Sequence, residues 1–353
     1  MKTRILKINE ENIEEASKQA ANIWEKGGLV AFPTETVYGL GGNGLDKDAA
    51  KKIYEAKGRP SDNPLILHIA KMEQLYPLVK NDNKKVMEQA EALAEAFWPG
   101  PLTMILPKSS IVPYETTGGL DTVAIRMPSH SSARALLMES GLPIAAPSAN
   151  LSGRPSPTSA EHVIEDMDGR IDMIIDGGDV GIGVESTIVD LTGEVPMLLR
   201  PGFITPQMLH EVLGSIETDA AVYHKVGKDV HPKAPGMKYR HYAPKASMTI
   251  VEGEQKAVEV YINEEVKKKQ KEGKKVGVMA TKESEKCYDA DVILSVGERS
   301  SMDSIAHNLF RVLREFDEAD VDYIYSESFT SAGCGFAVMN RLLKAAGHQV
   351  VTV

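Results

Sequence analysis

Cysteine is almost absent from this chain of 353 residues, which holds only Cys287 and Cys334. So few and so widely separated, they exclude a disulfide framework and a cysteine zinc site, and both read as small packed residues. No apolar run approaches the roughly 20 residues that a membrane span needs. The N-terminal stretch MKTRILKINEENIEEASKQ turns polar and acidic too soon for a secretory signal, so a cytoplasmic location is expected. The fingerprints GxxxxGK[ST], HExxH, GxSxG and CxxC are missing, which excludes the chemistries they announce. An excess of basic charge is lacking too. The formal net charge of −10 argues against a protein whose main task is to neutralise nucleic acid phosphates.

What is present describes a globular chain, with hydrophobic residues at 42% and charged residues at 25%. The length exceeds one ordinary core, so two domains are expected. The stretch that organises the first begins with an apolar run, Leu29 to Phe32, read as a buried strand ended by Pro33. Thr34, Glu35, Thr36 and Tyr38 then stand beside Gly39, Gly41, Gly42 and Gly44, where backbone can approach a ligand. Asp46 is expected to cap a helix over 47–57. Beyond it, Lys57 and Arg59 flank Gly58, with Asn63 and His68 following. Two cations in a loop punctuated by Gly and Pro suit a phosphate chain, and equally a solvated turn paired to Glu55 and Asp62.

Helical spacing predicts helices over 10–27, 84–97, 131–140 and 205–213, the last with Thr205 as cap and Pro206 in its first turn. Strands are expected at 65–70, 102–107, 122–127, 143–147, 172–176, 187–191 and 197–200. Arg126, alone in a strand of Val, Ala, Ile and Met, is costly unless it is paired or points into a cleft. The loop with Ser148, Asn150, Ser152, Ser156, Thr158 and Ser159 follows a short apolar strand, at the kind of strand end where ligands collect in α/β sheets. Glu185, Ser186 and Thr187 introduce one strand, and Arg200 ends another.

Residues 222–246 show no periodicity. Lys225, Lys228, Lys233, Lys238, Arg240 and Lys245 outnumber the single acid Asp229, and Tyr239, His241 and Tyr242 lie among them. The segment reads either as an extended basic linker or as a lid over a cleft. Residues 247–353 then alternate strands and helices in the rhythm of a doubly wound α/β sandwich. The expected division is 1–220 for a catalytic domain, 221–246 for a linker and active-site lid, and 247–353 for a C-terminal α/β domain. The suspected positions are cationic and hydroxyl-bearing and offer no obvious nucleophile, so the chemistry lies in positioning reactants and stabilising negative charge.

The blocks PTETVYGLG, KGRPSDNPL, FWPGPLT, VAIRMP, PIAAPSANLSG, GVESTIVD and LLRPG, in this order, resemble the YrdC-like domain over about residues 5–215. With APGMKYRHYAP and the trailing α/β unit, the whole resembles the two-domain threonylcarbamoyl-AMP synthases. The fold so implied is a YrdC-like twisted mixed open sheet with helices, followed by a linker and a smaller Rossmann-like doubly wound domain.

The reaction implied joins L-threonine, bicarbonate and ATP into L-threonylcarbamoyladenylate and releases pyrophosphate. A downstream tRNA threonylcarbamoyl-transferase complex uses the product, and direct tRNA binding by this chain is expected to be weak or absent. By the same resemblance Lys57 and Arg59 are catalytic, and Arg59, Asn63, Thr122, Ser148, Ser156 and Arg200 bind ATP, with His241 or Tyr242 of the lid near the nucleotide. Thr36, His68, Arg126, Ala146 and Ser186 bind threonine, Arg126 through the α-carboxylate. Mg²⁺ is expected to arrive with ATP, held by phosphates and water. Two other readings are an RNA-binding module, favoured by steeply salt-dependent tRNA binding without turnover, and a carbamoyltransferase-type enzyme.

Overall fold

The computed structural model describes residues 2–224, 232–235 and 241–353. Lys225, Lys228, Asp229, Lys238, Tyr239 and Arg240 of the basic segment lie outside them. The chain forms two compact units. The first comprises Met1–Ser152, Ser156–Gly181 and Glu185–Lys238, and the second Gly153–Pro155, Ile182–Val184 and Tyr239–Val353. The second unit thus takes in two short pieces from between segments of the first that no periodicity signals.

The first unit is built on an 11-stranded mixed sheet. Its spatial order is Arg4–Lys7, Met173–Asp176, Val30–Phe32, Gly39–Asn43, Ile144–Ala145, Ile66–His68, Thr122–Arg126, Leu102–Pro107, Thr187–Asp190, Met197–Arg200 and Glu217–Thr218. The helices Ile13–Glu25 and Ser131–Ser140 place Ala16, Ala20, Trp24, Ala133, Leu136 and Leu137 on Val30, Phe32, Ile144 and Met173. A second cluster joins Ile66, Ile105, Ala124, Ile188 and Leu199, and the buried Ala234 completes it. The helix Lys47–Lys57 starts where expected, because the Asp46 side chain accepts from Asp48 N at 2.9 Å. Gly58, at φ 59°, ends it in the left-handed conformation. Thr205 likewise accepts from Met208 N at 3.2 Å.

The glycine cluster is corrected. Gly39–Asn43 is a buried strand between Val30–Phe32 and Ile144–Ala145, where strand and helix periodicities are both hidden by missing side chains. A Cβ on Gly41 would stand 2.8 Å from both Ile144 and Phe32, so this glycine admits neighbouring side chains and not a ligand. The strand Arg4–Lys7 and the helix Ala160–Met167 are further elements that the sequence reading omits. Cys287 is exposed, not packed, whereas Cys334 is buried as expected.

The second unit holds an all-parallel five-stranded sheet in the order Val292–Ser295, Val276–Ala280, Tyr323–Glu327, Ser247–Glu252, Val350–Thr352. The helix Gln255–Lys271 covers one face with Val258, Ile262 and Val266 against Val276, Val278 and Ala280. Gly277 points the other way and lies under Phe316 of the helix Met302–Glu318, so helices cover both faces. Tyr242, at φ 62°, stacks on Phe310 at 5.1 Å between centroids.

A methyl group on Gly44 would meet Leu67 Cδ2 at 2.2 Å and the Pro143 carbonyl oxygen at 2.8 Å. Gly44→Ala is expected to destabilise the first unit by about 1–3 kcal/mol, as overpacking does. Both tryptophans, Trp24 and Trp98, lie in that unit, so chemical denaturation followed by their fluorescence reports on it directly.

Candidate active site

Register across the first sheet decides which side chains meet. His68 stands opposite Arg126, Arg126 opposite Thr103, and Ile188 opposite both Thr103 and Arg200. Alternation puts Thr122, Ala124 and Arg126 on one face, beside Ile66 and His68. The neighbouring strand runs antiparallel, with Ile144 opposite His68, and Ala146 N donates to the Ile66 carbonyl at 2.9 Å. Ala146 is therefore level with Ala124, and the loop carrying Ser148 continues toward Thr122. Four residues separate Thr122 from Arg126, about 13 Å along a strand. The site residues thus fall into two groups at the two ends of one sheet face.

At the Arg126 end the guanidinium is buried, and Nη1 donates to Thr36 Oγ1 at 2.9 Å. Thr36 Oγ1 lies 3.0 Å from Thr34 Oγ1, whose hydroxyl donates to the Val37 carbonyl at 2.6 Å. Arg126 Nε faces the Gly100 carbonyl at 3.4 Å. Arg126 Nη2 is 2.7 Å from Glu35 Oε1, an ion pair in which the side chains are 5% and 12% exposed. Beyond this ion pair, neither Nη2 nor either carboxylate oxygen meets a partner in hydrogen-bonding geometry. Burial raises the pKa of Glu35, but the Arg126 charge and the backbone N–H groups of Glu35 and Ser129 outweigh it and hold the carboxyl below its usual range. His68 Nδ1 lies 3.1 Å from the Ile66 carbonyl. Burial, with Arg126 alongside, pushes its imidazole down to about 3, so it is neutral.

Thr103 extends the row. Its hydroxyl lies 2.7 Å from Ser186 Oγ, which also receives Arg200 Nη2 at 3.1 Å, while Arg200 Nε donates to the Ser186 carbonyl at 3.0 Å. Ser156 Oγ donates to Glu185 Oε1 at 2.5 Å, next to Ser186. Arg200 and Ser156, expected with the nucleotide, are therefore bonded to the Ser186 segment.

At the other end Lys57 is 2% exposed, and its ammonium donates to the carbonyls of Ser148 and Asn150, the latter at 2.6 Å, and to Asn150 Oδ1 at 3.4 Å. All three ammonium protons have acceptors, so Lys57 is a strut that orders the Ser148–Asn150 loop. Ser148 Oγ donates to Asn150 Oδ1 at 2.5 Å. Arg59 Nη2 donates to the Asn63 and Pro64 carbonyls at 3.2 and 3.0 Å. Asn63 Oδ1 is buried without a hydrogen-bond partner. Tyr242 and His241 belong to the second unit, where Tyr242 also faces the Arg341 guanidinium at 5.7 Å. Glu35, Thr103 and Asn150 are structural members of the site that sequence reasoning did not select. The signal for Glu35 was the cost of a lone Arg126 charge inside a strand.

Removing one member of a buried ion pair costs more than the pair contributes. Arg126→Met is expected to destabilise the first unit by about 3–5 kcal/mol, and adding Glu35→Gln should return most of that, measured as denaturation midpoints. His68 has a folded pKa of about 3, below its ordinary 6.5. The stability it allows is complete above pH 6.5 and is lost as pH falls toward 3, because the unfolded chain binds the proton first. Replacing His68 with Gln should flatten the fall in stability across that window.

Comparison with known proteins places this geometry. The Sua5, YciO and YrdC family model, described as "Telomere recombination", matches residues 22–202, and the threonylcarbamoyl-AMP synthase C-terminal domain model matches residues 204–347. The threonylcarbamoyl-AMP synthase of Pyrococcus abyssi is 53% identical over 99% of this chain and 100% of its own length. That of Bacillus subtilis is 52% identical over 94% of this chain and 93% of its own. The crystal structure of P. abyssi Sua5 complexed with L-threonine superposes with a TM-score of 0.92 at 51% identity, covering 100% of both chains. Matched along its length in sequence and in fold, the chain belongs to the threonylcarbamoyl-AMP synthase family.

Proposed function

We propose that the protein makes L-threonylcarbamoyladenylate from L-threonine, bicarbonate and ATP, and that its product supplies threonylcarbamoyl modification of tRNA. The observation that carries this reading is the buried Arg126, fixed by strand register between His68 and the Thr103–Ser186–Arg200 row and aimed at Thr36. Such a guanidinium, walled by hydroxyls, suits the carboxylate of a small hydroxylated amino acid. The full-length relatives that share this fold carry the same activity in their names, and one was solved with L-threonine.

In this reading threonine lies at the Arg126 end, against Thr36, His68, Ala146 and Ser186. Its amine attacks the carbon of bicarbonate and a carbamate forms with loss of water. A carbamate oxygen then attacks the α-phosphorus of ATP, and the bond to pyrophosphate breaks. The nucleotide lies toward Thr122, Ser148 and Asn63, so the carbamate is formed between the two groups. Arg59 and Arg200 stabilise the charge that gathers on phosphate and carbamate oxygens. Lys57 contributes by holding the Ser148–Asn150 loop in place. Mg²⁺ would be carried on the ATP phosphates and completed by water. The downstream acceptor of the product is a tRNA threonylcarbamoyl-transferase complex.

The described helices include none long and apolar enough to cross a membrane. Incubation with ATP, labelled bicarbonate and threonine should yield labelled adenylate and pyrophosphate in equal amounts, and omitting threonine or bicarbonate should abolish both. Arg59→Ala is expected to lower the rate about 10²- to 10³-fold, the usual effect of losing one donor to developing charge. Undiminished turnover by that variant would remove Arg59 from the chemistry.

A further inference from the structure

The Glu35 carboxylate is the group in the site whose bonding is least complete. It lies in the bend between the antiparallel strands Val30–Phe32 and Gly39–Asn43, and its side chain is 12% exposed. Among the described residues Arg126 is the only basic group at ion-pair distance, and neither carboxylate oxygen has a hydrogen-bond partner. Nearby His130 adds no positive charge, because burial lowers its pKa more than Glu35 raises it. The Arg126 guanidinium and the backbone N–H groups of Glu35 and Ser129 lie near it, but none is in hydrogen-bonding geometry, so both oxygens can still accept donors from a ligand.

Arg126 imposes a spatial relation. An α-amino acid carries its ammonium on the atom next to its carboxylate carbon. A substrate whose carboxylate is gripped by Arg126 therefore presents N–H donors to whatever stands beside the guanidinium. Glu35 stands there. We propose that Glu35 receives the α-ammonium of the amino acid substrate, so that Glu35 and Arg126 together read a zwitterion. This rests on the reading that threonine binds at Arg126. The shifted ionisation of Glu35 supports it, since a carboxyl held below its usual range stays charged at neutral pH and orients a cation. The ammonium gives one proton to solvent before the amine attacks bicarbonate, and the second proton leaves the nitrogen with the departing hydroxide as water; neither stays on Glu35.

Calorimetric titration distinguishes this role from simple neutralisation of Arg126. The ligands are L-threonine and its α-hydroxy analogue, in which a hydroxyl replaces the ammonium. The wild-type protein should prefer threonine by about 10- to 100-fold, the range for a charged hydrogen-bonded contact. Glu35→Gln should lose most of that preference while its ATP affinity is unchanged, and Glu35→Asp should keep part of it.

Tighter binding of both ligands by Glu35→Gln would mean that Glu35 only occupies Arg126, and would overturn the proposal. Equal weakening of both would overturn it too, as a distortion of the pocket. Should Glu35→Gln fail to fold, Glu35→Asp and the wild type still decide, since equal affinity of the wild type for both ligands overturns the assignment. A wild-type protein that binds no threonine refutes the underlying reading, whereas one that binds both ligands alike refutes only the role of Glu35.

Discussion

A single guanidinium, that of Arg126, sets the terms for the first unit. A permanent charge inside a sheet is tolerable only when each of its faces is answered. The hydroxyl of Thr36 and the carboxylate of the adjacent Glu35 answer it from one bend, and the carbonyl of Gly100 from a distant part of the chain. The bend after Val30–Phe32 must therefore fold back toward the strand Thr122–Arg126, although these strands are not adjacent in the sheet. Packing of Trp24, Phe32 and Ile144 beside it, with glycines where side chains would collide, allows that bend to sit close. Electrostatics and packing thus constrain the same few residues.

The short strands serve this constraint. Three-residue strands such as Ile66–His68 contribute little pairing, but their register is unambiguous because one face is packed on the core. It aligns His68, Arg126, Thr103 and Arg200 in one row while sending Ser148 and Thr122 the other way. The two groups thus stand at opposite ends of one sheet face.

Much of this was legible in the sequence. The helix Lys47–Lys57 was marked by an N-cap at one end and glycine at the other, and the alternating elements of the second unit by their periods. The cost of Arg126 pointed to a cleft. Other features could not be read. The strand Gly39–Asn43 has no side-chain pattern to show its period, so its glycines looked like a ligand loop. The bonds of Lys57 run to main-chain oxygens about ninety positions away, and main-chain atoms are the same at every residue. For that reason a strut and a phosphate ligand look alike in sequence. The separation of Gly153–Pro155 and Ile182–Val184 from their flanking residues is likewise a long-range property with no local sign.

The neutrality of His68 has a consequence for how the Arg126 end responds to its surroundings. Burial pushes the His68 imidazole down to about 3, and the Arg126 charge helps hold the Glu35 carboxyl below its usual range, so neither group changes charge near neutrality. His68 and Glu35 therefore keep their charge states under metabolic acidification. Near neutrality it is the reactants that titrate, through the amine that has to be unprotonated and the bicarbonate in exchange with dissolved carbon dioxide.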